Sequence, residues 1–192
     1  DLGPDASLKG RPLGQDFTVK DGWRMYHGET VPGFPAHPHR GFETITVVLE
    51  GFVDHSDSHG AAGRYGQGDV QWMTAGSGIL HQEFHSRAFT RSGGPFEMVQ
   101  LWVNLPRDQK DADPDYEDAS ADDLPTEETS GATVRTVVGE GSPVELHTPM
   151  EYLDVRVAGA WTWSIPDDWA GFVYGVAGET LNALTGAVVT IP

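Results

Sequence analysis

The chain contains no cysteine, which excludes disulfides, thiolate metal sites and cysteine nucleophiles and leaves nitrogen and oxygen as the ligands for any metal. Basic residues are scarce. Lysine occurs only at Lys9, Lys20 and Lys110, and lysine and arginine together number 12 against 29 acidic residues, a net charge of −17. Such a charge repels phosphate backbones and anionic membrane surfaces, so neither direct nucleic-acid binding nor membrane binding is expected. It fits adaptation to high salt and equally fits one locally acidic segment. No apolar run approaches the ~18 residues that cross a bilayer. The opening residues, DLGPD, lack the basic start and apolar stretch of a secretory signal, which makes a cytoplasmic address the default expectation.

Glycine and proline, by contrast, are abundant, with 24 and 13 of the 192 residues, well above the ~12% of average proteins. Strand-like segments recur at 43–52, 70–73, 97–104, 133–138, 153–157, 161–165 and 172–176, bounded by Gly, Pro, Asp or Ser clusters. No amphipathic helix competes with them. A chain of this length can bury roughly 70% of its unfolded surface. An all-β molecule of the jelly-roll type follows, with strands burying one face and turns carrying the polar residues.

Ten acidic residues lie between Asp108 and Glu128, with Lys110 beside them as the only base. That composition cannot bury much surface and reads as a solvated connector between two β units. A weak internal repeat points the same way: Gly41-Phe42 leads into TITVVLEG, and Gly171-Phe172 leads into VYGVAG. Only 14 residues follow Gly178, so the second unit is expected to be shorter than the first or incomplete in this chain.

Histidine carries the chemistry. Side chains alternate faces along a strand, so His37 and His39 point one way, and so do His81, Glu83 and His85. Two such strands facing one barrel interior would bring three imidazoles and a carboxylate to a point, a divalent-metal site with open positions for water, substrate or oxygen. Glu43 competes for the oxygen ligand, being four residues beyond His39 with the same parity, and spacing alone leaves Glu43 and Glu83 tied. A purely hydrogen-bonded histidine cluster is disfavoured, because several ionisable groups in one barrel interior are costly without a cation. His27, His55, His59 and His147 read as ordinary polar residues, with His55 and His59 in a polar DHSDSHG turn. Trp161 and Trp163 share a face with Ile165 and read as core of the second unit. Trp72 and Met73 lead into the metal motif, and one of the two should face the pocket and keep it dry.

These segments closely resemble the pirin family: FPAHPHRGFETITVVLEG from Phe34 to Gly51, DHSDSHGAAGRYGQGDVQWMTAGSGILHQE from Asp54 to Glu83, and QLWVNLP from Gln100 to Pro106. HTPMEYLDVRV, from His147, is also pirin-like. The resemblance implies a bicupin of two jelly-roll β-barrels: a metal-binding domain over 1–106, an acidic linker over 107–130 and a metal-free cupin-like domain over 131–192. It implies His37, His39, His81 and Glu83 as ligands, and so decides for Glu83. Glu43 is then expected to hydrogen-bond a metal-bound imidazole. His85 departs from the family pattern and is expected at most as a further group near the metal.

The resemblance also implies one divalent transition metal, with Fe(II) favoured over Mn, Co, Ni, Cu or Zn. The implied reaction is quercetin 2,3-dioxygenase chemistry on a small aromatic or polyphenol substrate, with Glu83 as ligand and catalytic base. The alternative it implies is a non-enzymatic metal- or redox-sensing regulator acting through protein partners. A monomer is the family-like default. An open apolar mouth would favour catalysis, and a closed or strongly polar one would favour sensing.

Overall fold

The computed structural model describes residues 33–178, apart from the side chains of Pro35 and Arg87, together with four short strands. These are β1 (Val19–Lys20), β2 (Trp23–Arg24), β15 (Leu184–Thr185) and β16 (Val188–Ile191). His27 lies outside the described residues. Between them run β3 (Gly33–His39), β4 (Phe42–Glu50), β5 (Phe52–Asp57), β6 (Ala62–Gly66), β7 (Val70–Thr74), β8 (Ile79–His85), β9 (Glu97–Asn104), β10 (Asp115–Ala119), β11 (Thr126–Glu128), β12 (Ala132–Val138), β13 (Tyr152–Val157) and β14 (Trp161–Ser164). One six-residue helix, α1 (Arg87–Ser92), interrupts them, capped by the Ser86 side chain, which accepts from the Phe89 N–H. The molecule is all-β, as the glycine-rich, helix-poor sequence implies.

The chain forms two compact units: residues 1–123 with Leu146–Pro149, and residues 124–145 with 150–192. The first contains two four-stranded antiparallel sheets, ordered β3-β8-β5-β6 and β10-β7-β4-β9. Their facing sides interlock. Val48 of one sheet packs with Val53 and Tyr65 of the other, and Met73 and Ala75 pack with Ile79. From these contacts strand alternation assigns the remaining faces: Thr44, Thr46, Val48, Gln71, Met73 and Gln100 point between the sheets, while Glu43, Ile45, Val47 and Trp72 point the other way.

The connector expected over 107–130 is divided. Asp115–Ala119 pairs with β7 as an edge strand of the first unit, and Thr126–Glu128 pairs with β12 in the second. Tyr116, opposite Met73, turns toward the space between the sheets, Ala119, opposite Val70, is buried on the other face, and Asp115, Glu117 and Asp118 stay exposed, so an acidic stretch can still supply a sheet edge.

In the second unit β11-β12-β13 form one antiparallel sheet and β14-β16-β15 another. Arg135 donates to Asp154 at 2.8 Å across β12 and β13. Trp161, Trp163 and Ile165 share a half-buried face, and Trp163 Nε1 donates to Glu151 at 2.8 Å. The strand expected over 172–176 is absent: these residues have no regular structure, and Phe172, Tyr174 and Val176 are exposed. A strand needs a ladder partner, and none pairs with this stretch among the described residues. The apparent repeat of Gly41-Phe42 at Gly171-Phe172 is therefore a likeness of sequence and not of structure. No helix among the described residues is long and apolar enough to cross a membrane.

Candidate metal centre

Strand β3 lies against β8 with His37 directly opposite His81 and His39 opposite Ile79. Both strands present these residues to the space between the sheets. His37 Nε2 lies 3.1 Å from His39 Nε2 and 3.0 Å from His81 Nε2. One nitrogen of each of the three imidazoles falls in a group spanning 4.8 Å. A single imidazole nitrogen carries one hydrogen or one lone pair along one direction, so His37 Nε2 cannot satisfy both neighbours by hydrogen bonding. A shared cation can. At ~2.1 Å from each nitrogen and with ligands at right angles, a metal holds such nitrogens about 3.0 Å apart. The donor set therefore fits a divalent transition metal.

Two of the three imidazoles are held neutral. Burial, and then the neighbouring His37, pushes the His39 pKa down to about 4. Burial, followed by the surrounding histidines His37, His39 and His55, pushes His81 down to about 3. Both therefore offer lone pairs at neutral pH.

Glu83, two residues beyond His81 on the same face, is 2% exposed. The tight group of nitrogens does not include its carboxylate. Instead Glu83 Oε1 accepts the Tyr65 hydroxyl at 2.8 Å, and Gln100 Nε2 lies 3.4 Å from each carboxylate oxygen. Gln100 also donates to Thr46 at 3.0 Å. Burial, and then Glu83, raises the Tyr65 pKa, so the phenol remains a proton donor to the carboxylate.

Glu43 is not beside the imidazoles. It is fully buried, but on the opposite face of its sheet, where Thr74 Oγ1 donates to Oε1 at 2.9 Å and the His147 backbone N–H approaches at 3.4 Å. The parity shared with His39 does not carry across Arg40 and Gly41, which separate β3 from β4. Gly41 turns the chain with φ +74°, and β4 joins the other sheet. His85 is also elsewhere. It packs on Phe89 and Phe96, ring centroids 5.5 and 4.7 Å away, where burial lowers its pKa. Of the two expected pocket residues, Met73 faces inward beside Ile79, and Trp72 faces away.

Sequence reasoning passed over several neighbours. His55, assigned to a turn, lies on β5 with its ring 5.4 Å from that of His81. Tyr116, inside the acidic stretch, stacks on His55 at 4.2 Å. Phe42 and Trp102 stack at 4.8 Å, and both lie edge-on to His39. Trp102 is 66% exposed, and its Nε1 donates to Gln100 at 3.2 Å. The alternation that singled out His81 and Glu83 could also have placed His55 and Asp57 on one face, had the DHSDSHG stretch been read as a strand running into a turn.

Two facing antiparallel sheets with histidines converging from paired strands define a cupin-type fold with a candidate metal site. The chain belongs to the pirin family, whose sequence profile, described as Pirin, matches residues 9–103. It is 40% identical to Pirin-1 of Arabidopsis thaliana over 153 residues, which cover 77% of this chain and 51% of that protein. Among solved structures, a quercetin 2,3-dioxygenase from Acinetobacter baumannii matches with a TM-score of 0.66 and 42% identity, covering 70% of this chain and 49% of the other. The bacterial pirin YhhW of Escherichia coli in complex with nickel(II) matches with a TM-score of 0.51 and 26% identity, covering 71% and 56%. The chain thus spans about half the length of the relatives it matches.

Proposed function

We propose that this chain holds one divalent transition metal through His37, His39 and His81, with Glu83 as the oxygen ligand and catalytic base. We propose that it acts as a quercetin 2,3-dioxygenase-type enzyme on flavonols, with Fe(II) as the favoured metal. The observation that carries the metal assignment is the approach of three Nε2 atoms at 3.0 and 3.1 Å, which hydrogen bonding cannot satisfy. The nickel(II) complex of YhhW and the dioxygenase from Acinetobacter baumannii support it as properties of those proteins.

When bound, such a metal supplies a Lewis acid that favours ionisation of a substrate hydroxyl, and iron adds the capacity to react with dioxygen. The protein's own residues do the rest. Glu83 takes the proton of the flavonol 3-hydroxyl, its carboxylate aimed by Tyr65 and Gln100. Trp102 and Phe42 offer a flat aromatic edge beside His39 for the substrate rings. Val48, Val53 and Met73 keep the interior behind the site apolar and exclude water. The exposed aromatic mouth favours a small flat substrate over a sensing role exercised through protein partners.

The test is metal analysis of the purified chain together with oxygen consumption and carbon monoxide release on a flavonol panel. About one metal per chain and flavonol turnover are expected. Glu83→Gln is expected to keep the metal and lose turnover by about 10²- to 10⁴-fold. Full activity in that variant would remove Glu83 from the base role.

A further inference from the structure

His81 is the most enclosed of the three imidazoles, at 2% exposure, yet its Nδ1 has no hydrogen-bond partner among the described residues. No side chain or backbone acceptor among the described residues therefore orients this imidazole in the way usual for metal-binding histidines. Orientation must come from what the ring lies against. Apart from His37 and His39, the imidazole against it is that of His55, with centroids 5.4 Å apart and planes at 44°.

His55 is itself held on several sides. Its Nε2 lies 3.1 Å from Asp57 Oδ2, and a carboxylate only accepts, so the imidazole donates. Asp57 Oδ1 in turn accepts the backbone N–H groups of His59 at 2.8 Å and Ala61 at 3.1 Å. Burial works to raise the Asp57 pKa, but these hydrogen bonds outweigh it and keep the carboxyl below its ordinary range. Tyr116 stacks on the His55 ring at 4.2 Å and 18°. Gly63 makes room for that stack, since a Cβ there would lie 2.2 Å from the Tyr116 hydroxyl. The side chains of His55 and Asp57 are 0% and 1% exposed, and Asp57 sits directly opposite His81 in the β5–β8 register. No lysine or arginine pairs with Asp57 among the described residues. The proposed ligand set and proton transfer make no use of this pair.

We propose that the His55–Asp57 pair, braced by Tyr116, positions His81 for metal binding and sets a buried negative charge beside the cation. The proposal rests on the metal-centre reading above. The turn after β5 locks Asp57, Asp57 and Tyr116 lock His55, and His55 confines the His81 ring. His55→Phe keeps a flat ring against Tyr116 and removes the tie to Asp57. Asp57→Asn keeps the shape of the turn and removes the charge. Ser56→Ala is the control, because it breaks the Gln82–Ser56 hydrogen bond of 2.8 Å between the same two strands on their other face.

The chain is stripped with a chelator and titrated with cobalt(II), whose visible absorption reports ligand geometry. In folded His55→Phe and Asp57→Asn, the cobalt dissociation constant is expected to rise about 10- to 100-fold with an altered spectrum, and Ser56→Ala is expected to match wild type. A merely structural role would lower the melting temperature and leave the affinity and spectrum of the folded variants unchanged; that result overturns the proposal. Imidazole NMR of the metal-free wild-type chain decides the matter should the variants fail to fold. His81 is expected in one tautomer with sharp ring resonances, and exchange-broadened resonances would overturn the positioning. If wild type takes up no cobalt while His55→Phe broadens His81, the metal reading fails and the positioning stands. If wild type takes up cobalt and folded variants bind it equally well, the positioning fails alone.

Discussion

Removing one imidazole from three leaves a cation two nitrogens and an unpaired approach. His39→Ala and His81→Ala are therefore expected to lower bound metal from about one per chain to near zero, with the β signature of the circular dichroism spectrum retained. Glu43→Gln is the counterpart. Because Glu43 contacts Thr74 and the His147 backbone on the far face of its sheet, the folded variant is expected to keep wild-type metal content, by elemental analysis. Loss of metal in Glu43→Gln would place that carboxylate in the site after all. The depressed histidines also set a pH dependence. In the unfolded chain a histidine takes up its proton near pH 6.5, whereas folded His39 and His81 resist until about pH 4 and about pH 3. Between those values the unfolded state binds more protons, so the stability of the metal-free chain falls as the pH drops from 6.5 toward 4. At the proposed site protons are therefore expected to compete with metal for His39 and His81 only as the pH approaches those values, where the metal-free fold is also weakened. Metal release and loss of β structure are expected to coincide on acid titration. Release near pH 6 from an intact fold would contradict this.

At the scale of the element, turns matter as much as strands. Gly76, between β7 and β8, has φ +45°, and a Cβ there would lie 2.0 Å from the Ala112 carbonyl oxygen. The adjacent Gly41 N–H donates to the Gly76 carbonyl at 2.8 Å, so the same turn anchors the start of β4. Gly76→Ala combines backbone strain with a backbone overlap and is expected to cost at least ~2 kcal/mol in urea unfolding. Gly60→Ala, where nothing lies within 4 Å, should cost about 1 kcal/mol from strain alone. Equal losses at the two positions would show that the approach of Ala112 is not a constraint. The edge strand β10 makes a related point: three of its five residues are exposed acids that serve solubility, and Tyr116 serves the interior.

For the whole molecule the dominant quantity is the charge of −17. Repulsion among so many carboxylates favours expansion, and added salt screens it within a Debye length that shrinks from ~30 Å at 0.01 M to ~10 Å at 0.1 M. The melting temperature is therefore expected to climb by several degrees as sodium chloride rises from about 0.01 M toward 0.5 M. Constant or falling stability over that range would show that the acidic residues are spaced widely enough not to repel. The acidic stretch contributes to both units, as β10 in one and β11 in the other, so its charge is spread over folded structure and not confined to a connector.

The sequence by itself determined the class of candidate donors and their local alignment. Without cysteine, no thiolate could hold a cation, which left histidine nitrogen and carboxylate oxygen as the candidate donors. The two-residue spacing of His37 with His39 and of His81 with Glu83 put each pair on one face, because alternation holds within a continuous strand. The all-β character was equally legible in the glycine, proline and strand periodicity. Tertiary structure decided everything that crosses a turn or joins strands distant in sequence. Glu43 keeps parity with His39 on paper, but the chain reverses at Arg40 and Gly41 and enters the other sheet, which carries its carboxylate to the far side. His55, Asp57 and Tyr116 come together only because β5 pairs with β8 while β10 edges the opposing sheet. Residues 172–176 have the composition of a strand and lack a partner among the described residues. Periodicity is a property of neighbours along the chain. Which sheet a strand joins, and what it then faces, depends on pairings that local composition does not encode.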